Sequence, residues 1–109
     1  MPMAQLSTPL LTLTTNNNVL SGNLIEFVPM DSLVEFFMTQ SATGLVVNIT
    51  SGTDTVGLAL APNIRAAVDT SADKIGEDVA MKGDHLIISA TNPTAGTLTL
   101  FTLVRITAL

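Results

Sequence analysis

The sequence contains no cysteine, no tryptophan and no tyrosine. The first absence excludes disulfides and thiolate metal sites. The other two remove the rings on which sugars and bases are usually stacked. Charge is scarce as well: charged residues make up 12% of the chain, about half the usual share. Four basic residues against nine acidic ones give a net charge of −5, which argues against nucleic acid or an anionic membrane as a partner. No apolar run approaches the ~20 residues a membrane-crossing helix needs, because Thr, Asn and Ser interrupt each one. No basic stretch precedes Leu10, Leu11 and Leu13, so a signal peptide is not expected. Phosphate cradles are missing too, since Gly76 and Gly83 stand alone.

What is present is apolar and neutral. Apolar residues make up 47% of the sequence and the mean hydropathy is +0.52. The 109 residues suffice for one domain, 1–109, with few places to hide such surface, so burial against other subunits is expected. Residues 1–25 carry no charge, and the first charged side chain is Glu26. An uncharged N-terminal arm over about residues 1–20 is therefore expected. Five of the nine acids, Asp69, Asp73, Glu77, Asp78 and Asp84, fall in one stretch beside Lys74 and Lys82. That stretch, 69–84, reads as an acidic surface loop.

Period-two alternation is the clearest local signal. Leu98, Leu100, Thr102, Val104 and Ile106 share one face of 97–106, and Leu86, Ile88 and Ala90 share one face of 85–91. Asn92-Pro93-Thr94-Ala95-Gly96 between them reads as a hairpin connection. A second hairpin is expected where Leu45–Thr50 meets Thr55–Leu60 across Ser51-Gly52-Thr53-Asp54. Further strands are expected near 10–14, 23–28 and 33–39. Ser32-Leu33-Val34-Glu35 also fits a helix-capping box, but the alternation of Val34, Phe36 and Met38 with Leu33, Glu35 and Phe37 favours a strand. Over 63–75 the spacing fits either a short strand or a helical turn. Together these predict an all-β fold: an antiparallel β-sandwich, jelly-roll-like, of about eight short strands. Apart from Glu35 and Thr39 the 33–39 strand is apolar on both faces, so one face covers the core and the other needs a partner, expected to be a neighbouring subunit. Leu10, Leu11 and Leu13 in the arm, with Val34, Phe36 and Met38 in that strand, are the expected interface residues.

Residues that could carry chemistry are few. His85 is the sole histidine, and its neighbour Asp84 points to the opposite face of any strand, so the two form no dyad. An exposed strand residue after the Gly83-Asp84 turn is the plainer account of His85. No G-x-S-x-G elbow accompanies it. Asp69, Asp73, Glu77 and Asp78 lack the spacing of an EF-hand loop, which leaves a solvated loop or a weak ion site at a subunit contact. Glu26 and Glu35 are the intra-strand carboxylates, without the aromatic walls of a glycosidase cleft. Asn48-Ile49-Thr50 matches a glycosylation sequon that, without a secretion signal, is best ascribed to chance. No catalytic residue, cofactor or metal is expected.

The series Ser21-Gly22-Asn23-Leu24-Ile25-Glu26-Phe27-Val28-Pro29, Leu33-Val34-Glu35, Thr43-Gly44, Val47-Asn48-Ile49-Thr50-Ser51-Gly52-Thr53-Asp54, Gly83-Asp84-His85-Leu86-Ile87-Ile88, Asn92 and Gly96-Thr97-Leu98-Thr99 resembles small β-sandwich virion proteins of tailed phages. Those are accessory proteins of the cement or decoration type. The resemblance spans about residues 20–107 and implies a homo-oligomer, most often a trimer. It implies clamping of neighbouring major capsid protein subunits on the outer capsid surface, and no enzymatic activity. A small jelly-roll coat subunit, or a receptor- or sugar-binding head of a fibre, is the alternative; the missing basic arm counts against the first and the missing Trp and Tyr against the second.

Overall fold

The computed structural model describes residues 3–11 and 13–109; residues 1 and 2 of the expected arm, and Thr12 of the expected 10–14 strand, lie outside them. Among the described residues nine strands follow one another: β1 (Met3–Leu10), β2 (Thr14–Asn16), β3 (Ser32–Gln40), β4 (Val46–Ser51), β5 (Asp54–Leu60), β6 (Asn63–Ile64), β7 (Lys74–Ala80), β8 (Leu86–Asn92) and β9 (Leu98–Ala108). No helix occurs among the described residues. One sheet runs β1-β9-β3, with β7 and the short β6 both paired to β3. The other runs β2-β8-β4-β5. Every pair is antiparallel except β3 with β6.

The pairing is nested: β1 with β9, β2 with β8, β3 with β7 and β4 with β5. The chain is one long hairpin, closed at Gly52-Thr53 and rolled into two packed sheets, which is a jelly roll. Gly52 takes the left-handed φ of +59° that the closing turn needs. Alternate residues of each sheet fill the space between them. Val34, Phe36 and Met38 of β3 and Leu100, Val104 and Ile106 of β9 form one wall of the buried cluster. Val47 and Ile49 of β4 with Leu86, Ile88 and Ala90 of β8 form the other. At the open side the two sheets touch through β5 and β7, where a Cβ on Gly76 would come within 2.6 Å of Val56 Cγ1.

Five expectations change, the first being the 10–14 strand: Leu10 ends β1, Thr14 begins β2, and Leu13 lies in the turn between them. The charge-free N-terminal segment supplies β1 and β2, so from Met3 onward it is woven into both sheets and does not extend as an arm. The 85–91 and 97–106 runs are strands but no hairpin: β8 and β9 lie in different sheets, and the Asn92–Gly96 connection arches between them. Five residues are long enough to step the ~10 Å between packed sheets, and turn residues suit an arch as well as a hairpin. No strand forms at 23–28, where Asn23 Oδ1 accepts from the Ile25 N–H and the chain turns; a single bridge joins Phe27 to His85. That loop is strapped along β8 by bonds from Val19 N–H to Ile88 and from Leu86 N–H to Glu26, and it tucks Leu20, Ile25 and Val28 into the core. The acidic stretch is a loop only to Asp73, since 74–80 forms β7.

Candidate functional site

The six residues expected at an interface divide into two groups. Leu10, Val34, Phe36 and Met38 are not interface residues: all four are buried in the chain's own core. The physical reason is that their rows of β1 and β3 face the second sheet, and that sheet already satisfies them. Leu11 and Leu13, at the β1–β2 connection, stand 64% and 74% exposed. The opposite face of β3 needs no second subunit either. Phe37 is 1% exposed there, with the Arg105 guanidinium 5.1 Å above its ring. Leu103 and Thr39 on the same face are buried as well. Beside them a groove of about 320 Å³ opens between Ser7, Phe101 and the Ala66-Ala67-Val68 segment.

Ion pairs stitch that face together. Glu35 accepts from Arg105 Nε at 3.1 Å and meets Lys74 Nζ at 3.0 Å, while Lys74 also meets Glu77 at 2.7 Å. The Arg105 and Lys74 contacts hold the Glu35 carboxyl below the usual carboxylate range. Glu77 and then Glu35 in turn raise Lys74. Asp73, 2% exposed, is the post on which the preceding loop hangs. It accepts from Asn63 Nδ2 and Arg65 Nε and from the Asp69 backbone N–H. Burial alone would raise its carboxyl, but those donors overcome it and leave Asp73 more acidic than usual. Asp69 caps its own turn through the Ser71 hydroxyl and N–H, which lower it too. Most of the acids the sequence groups together thus hold the chain in shape. No cluster of three or more metal-ligating carboxylates or histidines occurs among the described residues.

His85 lies just before β8 and is half-buried. Asp84 does not address it: Asp84 Oδ2 accepts from the Met81 N–H instead. Its partner is Glu26, 2.7 Å from Nε2, with Asn18 Nδ2 at 3.5 Å and the Phe27 ring stacked 4.5 Å away. The Gly22 backbone N–H and then His85 hold the Glu26 carboxyl below its ordinary value. The arrangement fixes the loop to β8, and no hydroxyl among the described residues hydrogen-bonds the ring to serve as a nucleophile. A third polar group escapes sequence inspection altogether. Asp54 and Asp78 come together from β5 and β7, beside Ser51 of β4.

Two buried amides were not expected either. Asn92 donates to Leu10 O and Gly96 O and accepts from Thr94, fixing the arch between the sheets. Gln40 donates to Pro62 O and accepts from the Leu45 N–H. One signal was available for Asn92: it continues the Leu86, Ile88, Ala90 row, which places an amide in the core. No protein-family model matches the chain, and no curated protein matches it in sequence.

Proposed function

We propose that this chain is a non-enzymatic virion structural protein, a capsid cement or decoration subunit. It self-associates, as a trimer, and clamps neighbouring major capsid protein subunits on the outer shell. The observation that carries this is the open edge of β1. Among the described residues that strand pairs only with β9, and from Met3 to Leu10 it bears no charge. Exposed edges are normally blunted by charges or bulges. β7 carries Lys74, Glu77 and Asp78, and β5 is irregular opposite Asn48. β1 has only Pro9, so its edge is suited to accept a strand from another protein. Leu11 and Leu13 beside it offer apolar contact. Low overall charge and the resemblance to phage cement proteins point the same way.

Clamping would work through multivalency, since an oligomer touching several coat subunits gains effective concentration from each weak contact. A ligand of the assembled shell stabilises the shell against its free subunits. The test is light scattering followed by co-sedimentation with shells built from the same virion's coat protein. A mass of three times 11.4 kDa is expected, with binding to shells that Ser7→Lys on exposed β1 abolishes at unchanged melting temperature. A chain that ignores shells overturns the proposal. Self-assembly into closed shells would identify a coat subunit instead, and strong hits on a glycan array a fibre head.

A further inference from the structure

We propose that Asp54, Asp78 and Ser51 form a calcium site that ties the β4–β5 hairpin to β7, and so one sheet to the other. Asp78 pairs with Val34 across β3, and directly paired residues share a face, so its carboxyl points between the sheets. There its Oδ2 is buried and has no hydrogen-bond partner. Ser51 ends the inward row of Val47 and Ile49. It is 2% exposed, and its Oγ is likewise buried without a partner. Native interiors rarely leave two such atoms side by side, because each forfeits the desolvation cost of its group. Asp54 closes the hairpin opposite Ser51 and faces the same spot from the solvent side.

No cation among the described residues answers this charge. Among the described residues none of Asp54, Asp78 or Asp84 forms an ion pair. Lys74, on the same strand as Asp78, is committed to Glu35 and Glu77. Asp84 adds negative charge across Gly52, its carboxylate 3.0 Å from where a Cβ there would stand. Burial pushes the Asp78 carboxyl up, and the Asp54 charge adds to it. The two unpartnered atoms, Asp78 Oδ2 and Ser51 Oγ, are hard oxygens, and the Asp54 carboxylate beside them is a third. Calcium accepts such sets in flexible geometry and completes its shell of about 6–8 oxygens with water, which the exposed side of Asp54 admits. Magnesium demands near-ideal octahedral geometry and fits less well. With few charges the affinity falls in the range of ~10⁻⁴–10⁻³ M.

The test is thermal unfolding of the EDTA-treated full chain, with CaCl2 or MgCl2 added at constant ionic strength near neutral pH. CaCl2 is expected to raise the midpoint by roughly 5 °C once about tenfold above the dissociation constant. Asp54→Asn carries the comparison, because Asp54 is exposed and its replacement leaves the core intact. That variant is expected to lose the calcium shift and to melt higher than the parent in EDTA, since it removes a repelling charge. A midpoint indifferent to calcium means the two carboxyls share a proton and overturns the proposal. An equal response to MgCl2, or a calcium shift retained in Asp54→Asn, overturns it as well.

Discussion

His85 Nε2 and Glu26 Oε2 meet at 2.7 Å although 59 residues separate them in sequence. Phe27 stacks on the ring, and the Leu86 N–H bonds the Glu26 carbonyl, so the pair pins the β2–β3 loop against the start of β8. A carboxyl held below its ordinary value when folded takes up protons less readily than in the unfolded chain. Its contribution is complete above the ordinary value of 4.5 and drains as pH falls through the lower folded value. Glu26→Gln should therefore be less stable than the parent at pH 7 and converge with it toward pH 3. Melting midpoints across that range test this, and a gap of constant size would show that Glu26 does not couple to acid unfolding. The acid-side slope will shrink without vanishing, because Glu35, Asp69 and Asp73 are lowered too.

Phe36 separates a core role from an interface role. It is fully buried between the sheets, so Phe36→Ala should cost about 3–5 kcal/mol in urea unfolding. Phe36→Asp should not fold at all. A soluble, folded Phe36→Asp monomer would return that side chain to an intersubunit contact. Leu13→Asp, at a 74% exposed position, should change stability by no more than about 0.5 kcal/mol.

Truncation gives the corresponding test for the N-terminus. Removing residues 1–10 strips β1 from the edge of β9 and takes Leu10 out of the core. The expected result is loss of cooperative unfolding by circular dichroism. A deletion variant that still melts cooperatively would restore the detachable arm.

Asn92 shows where sequence pattern stops being informative. Strands near 33–39, 45–50, 55–60, 86–91 and 98–106 are legible because alternation is local and each inward row is apolar. Whether two adjacent strands pair or part is decided by the opposite sheet, which no five-residue turn records. The same holds for Glu26 with His85 and for Asp54 with Asp78, each pair brought together by the roll of the long hairpin. Asn92 carries both kinds of information, continuing the β8 row while its amide donates to Leu10 O and Gly96 O. Asn92→Ala takes the amide donor from the buried Leu10 carbonyl and should cost about 1–3 kcal/mol. A loss below about 0.5 kcal/mol would mean that water replaces the amide at the arch.

Ala59 offers the opposite sign. It sits in the left-handed region at φ 51°, inside β5, where the pairing with β4 slips opposite Asn48. Asn48 Oδ1 accepts its N–H at 2.8 Å, which fixes the irregularity from the partner strand. A left-handed L-residue costs ~1–2 kcal/mol, whereas glycine adopts the region freely and loses ~0.5–1 kcal/mol of chain entropy relative to alanine. Ala59→Gly should therefore gain about 0.5–1 kcal/mol, raising the midpoint by roughly 3–5 °C. Asn48→Ala should erase that gain, because without the amide nothing holds the slip in place. An Ala59→Gly chain that melts lower would mean that side-chain contacts, not backbone geometry, decide this position. The irregular edge keeps β5 from templating another strand while β1 stays open to one, so removing Asn48 should also raise the tendency of the chain to self-associate through β5.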